Sequence, residues 1–198
     1  MLRHGRSADP ENRIAFADKV GIPDFKRTTR DDPDFDKLMH YRIDLMKKHG
    51  LTLDKLIDVI NTIEPFDGAN AFIARLHEVC QVVVVSDTFD IFGYPLMRKL
   101  GWPTLFHNEV VVDDEGYMVG YKLRSQHTKR DTVRGLQSCM GVKTIAAGDG
   151  YNDLEMIRAS KAGFLFCAPE KIGAENSDVR ALEEYDELYD AIMGVIRK

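Results

Sequence analysis

The chain has 198 residues, 44% hydrophobic and 30% charged, which suits one soluble globular domain with room for an inserted subdomain. A formal net charge of −5 argues against a nucleic-acid or anionic-membrane surface. No apolar run approaches the roughly 18–20 residues of a transmembrane helix, and the basic start Met1-Leu2-Arg3-His4-Gly5-Arg6 has no apolar stretch behind it, so it does not read as a secretory signal.

Residues 14–63 read as helical throughout. Ile14-Ala15-Phe16 and Val20 begin the pattern, Leu38, Arg42, Leu45 and Met46 share one face, and Leu53, Leu56, Ile57 and Ile60 form a second stripe. From Pro65 the texture changes to alternating helices and strands. Ala69–Val79 reads as helix, Gln81–Val85 as a fully buried strand and Phe89–Leu100 as helix. His107–Leu123 reads as a hairpin turning at Asp113-Asp114-Glu115-Gly116. Thr128–Met140 is predicted helical, Lys143–Ala147 a strand, Asn152–Ser160 a helix, Gly163–Cys167 a strand and Val179–Ile196 a final helix. The pattern is that of a parallel, Rossmann-like α/β domain with a helical cap of about fifty residues before it. Cys80, Cys139 and Cys167 are odd in number and lack metal-ligand spacing. Cys80 and Cys167 fall in or beside apolar strands and read as buried free thiols, with a cytoplasmic location as the expectation.

The most informative stretch is Ala146-Ala147-Gly148-Asp149-Gly150-Tyr151-Asn152-Asp153. A short apolar strand ends in two glycines around an aspartate, a second aspartate follows, and Leu154-Glu155-Met156-Ile157-Arg158 then reads as helix. Asp149 and Asp153 are expected at the strand's carboxyl end, where open α/β sheets bind ligands. Carboxylates packed so closely repel unless a hard cation lies between them, and Mg²⁺ takes such oxygen ligands. A second strand, Val82–Val85, delivers Ser86-Asp87-Thr88 before a helix, a setting suited to a phosphate. Taken alone, Ser86 or Asp87 could equally cap that helix. Lys129 opens the helix after the hairpin and, taken alone, is a solvated lysine.

Ser86, Lys129 and Asp149 with Asp153, in that order, resemble the second, third and fourth motifs of the haloacid dehalogenase superfamily. Within it the chain is similar to phosphoserine phosphatases, above all to bacterial ones that also transfer phosphate from phosphoserine to homoserine. Ile14-Ala15-Phe16-Ala17-Asp18-Lys19, Thr28-Thr29-Arg30-Asp31, Leu38-Met39, Val84-Val85-Ser86-Asp87-Thr88-Phe89, Leu96-Met97-Arg98 and Ala146–Asp149 carry the resemblance over about residues 10–198. It implies Mg²⁺-dependent hydrolysis of phosphoserine in serine biosynthesis, through an aspartyl-phosphate. It also implies that Ser86 and Lys129 hold the phosphoryl oxygens, Asp149 ligates Mg²⁺ and Asp153 orients that site. Asn152 would contact phosphate or substrate, with Asp87 beside Ser86 in the binding set. Arg42 would bind the substrate carboxylate and Glu11 its ammonium; without the resemblance, Arg42 reads as an exposed helix arginine. The implied partner is a small phosphorylated amino acid, with no nucleic acid and no membrane. The acceptor, water or homoserine, and the assembly, a homodimer included, stay open.

One family element is missing. The Asp-x-Asp-Gly nucleophile motif, expected at the end of a central strand just before Pro10-Glu11, is replaced by Met1–Asp9, which has no apolar run. Asp32-Pro33-Asp34-Phe35-Asp36 has acids at the right spacing but falls between cap helices and reads as a solvated acidic turn. Asp9 precedes a proline and does not read as a replacement. The expected division is therefore an aberrant 1–9, a cap at 10–65 and an α/β core at 66–198, with the first central strand missing or altered. As written, the chain is expected to be inactive; a non-catalytic phosphoamino-acid binding module is the alternative. Arg3-His4-Gly5-Arg6 can be encoded CGA-CAT-GGA-CGG, and the same bases read one position later, GAC-ATG-GAC-GG, encode Asp-Met-Asp-Gly. The reading of residues 1–9 as a frameshift of the missing motif is tested by the genomic sequence upstream of codon 10. An apolar strand ending in Asp-x-Asp is expected in a shifted frame, and its absence from every frame would overturn the reading.

Overall fold

Helix-forming stripes and strand-forming runs alternate along the chain as the sequence leads one to expect, but several boundaries move. The computed structural model describes residues 17–27 and 34–197. Residues 1–9, Glu11 and the expected first strand lie outside them. A 3₁₀ turn at Pro23–Lys26 precedes helices α1 (Phe35–Lys48) and α2 (Leu53–Asn61). Then come α3 (Ala69–His77), β1 (Val83–Phe89), α4 (Asp90–Lys99), β2 (Thr104–Val112), β3 (Met118–Lys122) and α5 (Thr128–Met140). Last come β4 (Ile145–Gly148), a 3₁₀ turn at Tyr151–Asp153, α6 (Leu154–Ala159), β5 (Ala162–Phe166), α7 (Glu170–Glu175), β6 (Arg180–Leu182) and α8 (Tyr185–Ile196). Among the described residues no helix is long and apolar enough to cross a membrane.

The expected continuous helical stretch is broken. Pro23 opens the 3₁₀ turn, and α1 stops before Gly50, whose φ of +63° suits a residue without Cβ. The following Leu51 N–H closes back on Met46 C=O at 2.9 Å. The α1 N-cap is Asp34, whose carboxylate accepts from Lys37 N–H at 3.1 Å. The acidic turn therefore serves as a helix cap. The final helix starts at Tyr185 rather than Val179, because Arg180–Leu182 pairs in parallel with Phe164–Phe166. The β-ladder takes those residues from the helical pattern. The short α7 and β6 carry too few residues for periodicity to reveal.

The chain divides into two compact units. One comprises the described part of Asp9–Pro65 together with Ser86–Arg124, so the hairpin region clusters with the helical segment. The other comprises Phe66–Val85 and Ser125–Lys198. In the first unit, β2 and β3 form the expected antiparallel hairpin, with Val110 opposite Tyr121. Asp113 Oδ1 accepts from the N–H groups of Glu115 (3.1 Å) and Tyr117 (2.8 Å), closing its turn. The core joins Met39, Ile43, Leu45, Met46, Leu56, Phe89 and Met118. Lys99 Nζ donates to the carbonyls of Asn61 (2.8 Å) and Ile63 (2.7 Å) and pairs with Glu64 at 2.6 Å, satisfying the end of α2 from outside.

In the second unit β4, β5 and β6 run parallel in that order. Alternate β5 residues face opposite layers: Leu165 packs with Val133, Leu154 and Ile157 of α5 and α6, while Phe164 packs with Leu76, Leu188 and Ile192 of α3 and α8. This is helices on both faces of a parallel sheet, the expected α/β arrangement. The other sheet has the order β1-β2-β3, which leaves β1 at an edge among the described residues. Val83, Val84 and Val85 are half-buried, not the fully buried run expected. Cys80 and Cys167 are also half-buried rather than buried, and Cys139 is exposed.

Tyr121 ties the hairpin to α1. Its ring meets Phe35 edge-on at 5.8 Å and Phe89 at 5.9 Å, and its hydroxyl donates to Asp36. Loss of hydration, then the hydrogen bond to the Asp36 carboxylate, push its pKa up to about 12 from the ordinary 10.0. The folded value lies above the unfolded one, so this contribution to stability is complete below pH 10 and is lost as pH rises toward 12. Ultraviolet titration is expected to show a tyrosine step near pH 12 that Tyr121→Phe removes. Ionisation of Tyr121 at its ordinary value would contradict the contact.

Candidate active site

Asp149 follows the last residue of β4, as expected, and Asp153 closes the turn behind it. Asp153 is 4% exposed. Its Oδ1 accepts from Lys129 Nζ at 2.6 Å, and its Oδ2 accepts from the backbone N–H groups of Asp149 (3.0 Å) and Gly150 (2.9 Å). Three donors on one carboxylate make hydrogen bonds that fix the turn. Gly148 makes room for this: a Cβ there would lie 2.4 Å from Asp153 Cγ. Asn152 is exposed on the same turn.

Lys129 sits in the first turn of α5, its side chain 13% exposed. It is not the solvated lysine that its type alone suggests. Its neighbours are anchored to α6 by one residue, Glu155, whose Oε2 meets His127 Nδ1 at 3.2 Å and Arg130 Nη1 at 3.4 Å. Sequence alone leaves Glu155 an exposed helix residue with no signal of this role. In the same first turn, Asp131 accepts from Ser125 Oγ at 2.9 Å, which with Arg130 holds the Asp131 carboxyl below its ordinary value. Beyond β5, Cys167 adopts φ +51° and donates its thiol to Glu183 C=O at 3.2 Å. Burial, then the carboxylates of Glu183, Glu184 and Asp149, push its pKa up, so it is a thiol at neutral pH.

Among the described residues no three His, Cys, Asp or Glu side chains cluster as a metal cage. With Asp153 engaged by three donors, Asp149 is the carboxylate of this turn whose donor chemistry suits a hard cation. Mg²⁺ is commonly held by one or two carboxylates plus phosphate oxygens, so Asp149 fits as one ligand of such an ion.

Ser86 and Asp87 belong to the other compact unit and lie inside β1, not beyond its end. Neither caps α4, whose N-cap is Phe89 without a side-chain bond. Ser86 Oγ instead accepts from Thr88 N–H at 3.1 Å. In the same unit Arg42 is half-buried on α1 and donates through Nη2 to Arg27 C=O at 2.8 Å. The exposed arginine that its type alone suggests is therefore not what the fold presents. The structure thus brings Lys129 of α5 to Asp153, on the turn that also carries Asp149 and Asn152, and places Ser86, Asp87 and Arg42 in the other unit. Glu11 lies outside the described residues.

The family model for haloacid dehalogenase-like hydrolases matches residues 7–161. The phosphoserine phosphatase ThrH of Pseudomonas aeruginosa is 45% identical over 179 residues, covering 90% of this chain and 87% of that protein. A phosphoserine phosphatase of Pseudomonas syringae is 44% identical over 179 residues, covering 90% and 75%. Among solved structures, a phospho-aspartyl intermediate analogue of phosphoserine phosphatase superposes with a TM-score of 0.70 at 26% identity, covering 87% of this chain and 86% of that one. The chain belongs to the haloacid dehalogenase-like hydrolases.

The Lys129–Asp153 pair is buried enough that removing one partner strands a charge. Lys129→Ala is expected to lower unfolding free energy by about 3–5 kcal/mol in denaturant titrations. A loss below about 1 kcal/mol, the scale of an exposed pair, would contradict the buried geometry.

Proposed function

We propose that this haloacid dehalogenase-like hydrolase is built as a Mg²⁺-dependent phosphoserine phosphatase working through an aspartyl-phosphate, and that the chain as written does not turn phosphoserine over. The observation that carries the reading is the Asp149 turn clamped by Asp153 and Lys129, in a chain 45% identical to a protein named phosphoserine phosphatase. In this reading the Lys129 ammonium, oriented by Asp153, offsets phosphoryl charge. The Ser86 hydroxyl, with Asp87 beside it, holds a phosphoryl oxygen, and Asn152 contacts phosphate. Arg42 exchanges its carbonyl partner for the substrate carboxylate, and Glu11 meets the ammonium. Asp149 would hold Mg²⁺, which when bound neutralises phosphoryl oxygens. The phosphoenzyme that defines the lineage could be discharged by water or by homoserine, since both reactions share it.

The missing step is nucleophilic attack. The sequence carries no Asp-x-Asp-Gly before Pro10, and neither Asp149 nor Asp153 replaces it, one being assigned to the metal and the other already accepting three hydrogen bonds. A non-catalytic phosphoamino-acid binding module is the alternative reading of the chain as written. Phosphoserine with Mg²⁺ is expected to give a calorimetric binding signal, weakened by Lys129→Ala, and no phosphate release. Release that Asp149→Ala abolishes would overturn the silent assignment, and absence of heat would overturn retained binding.

A further inference from the structure

Asn108, on β2, is 1% exposed, the most deeply buried polar side chain among the described residues. Its Nδ2 donates to Asp87 C=O at 3.0 Å, and its Oδ1 accepts from Arg124 N–H at 3.0 Å. A carboxamide supplies one donor and one acceptor side by side, and the two backbone partners fix which way it points. The partners are not arbitrary. The chain enters this compact unit at Ser86 and leaves it at Arg124, so one buried amide holds the backbone at both ends of the segment 86–124. Packing alone does not require this, because a leucine of similar volume would fill the space. It would remove the hydrogen bonds that Asn108 gives that carbonyl and that N–H.

We propose that Asn108 is a positioning residue that fixes the Ser86-Asp87-Thr88 segment. It holds the strand at Asp87, and thereby the Ser86 hydroxyl one residue earlier, whose oxygen accepts from Thr88 N–H at 3.1 Å. The consequence for phosphate rests on the role given to Ser86 above; the positioning itself does not. Asn108 touches neither substrate nor reacting atoms and acts through the backbone.

Amide hydrogen exchange on the full chain reads both links separately. In the unmodified chain the Arg124 and Thr88 amides are expected to be protected although Arg124 lies outside the strands. Asn108→Asp keeps an acceptor for Arg124 and turns a lone pair on Asp87 C=O. It is expected to speed exchange at Ser86–Thr88 by about tenfold or more while Arg124 stays protected, and to weaken phosphoserine binding about tenfold. Asn108→Leu is expected to speed both. Coil-like exchange of Arg124 in the unmodified chain, or an even rise across the whole unit in Asn108→Asp, would overturn the proposal. If Asn108→Asp does not fold, the protection of Arg124 and Thr88 in the unmodified chain decides alone. Absence of phosphoserine binding alongside the local exchange pattern would sink the reading of Ser86 and leave the positioning role standing.

Discussion

The carboxylate of Asp153 is the point on which the described site turns. Buried to 4% exposure, it must be neutralised, and Lys129 does so from the first turn of α5 while the N–H groups of Asp149 and Gly150 satisfy its other oxygen. That arrangement needs Gly148, because any Cβ there would overlap Asp153. It needs α5 and α6 kept in register, which Glu155 does by meeting His127 and Arg130 on either side of Lys129. It also needs a stiff floor, supplied by β4 and β5, where Gly163 lets α6 approach so closely that a Cβ would lie 2.4 Å from Ile157 Cγ2. Charge burial, glycine placement and helix packing are therefore one constraint seen at three scales.

The first compact unit is tied together by side-chain hydrogen bonds between its segments. Asn108 joins the backbone at Asp87 and Arg124, Lys99 closes the carbonyls after α2, and Tyr121 joins the hairpin to Asp36 and Phe35. Each contact gives a polar group of one segment a partner on another.

Much of this was legible in the residues because the signals were local. Val110–Val112, a turn of acids with Gly116, and Met118–Tyr121 could only alternate as a hairpin, and β4 followed by Gly148-Asp149-Gly150 reads directly as strand and turn. The helical stripe of Leu38, Leu45 and Met46 appears as a buried face of α1. What stayed hidden depends on distant partners. Arg180–Leu182 reads as helix until Phe164–Phe166 is beside it. Ser86 and Asp87 read as a loop until the strand is seen to continue through them. Glu155 and Asn108 carry no sequence mark of their roles, since an exposed glutamate and a strand asparagine are commonplace until their partners are placed. The order of Ser86, Lys129 and Asp149 identified the lineage although those residues are scattered, because spacing along the chain survives where contacts cannot be read.

The central proposal is that this chain is built as a phosphoserine phosphatase whose Asp-x-Asp-Gly motif is replaced at residues 1–9. The most direct measurement replaces residues 1–9 with an apolar strand ending in Asp-Met-Asp-Gly and assays phosphate release from phosphoserine with Mg²⁺. The account predicts that the repaired chain turns over, that Asp149→Ala in it does not, and that the chain as written releases nothing. A folded repaired chain that stays silent, or equal release from both chains, would contradict it.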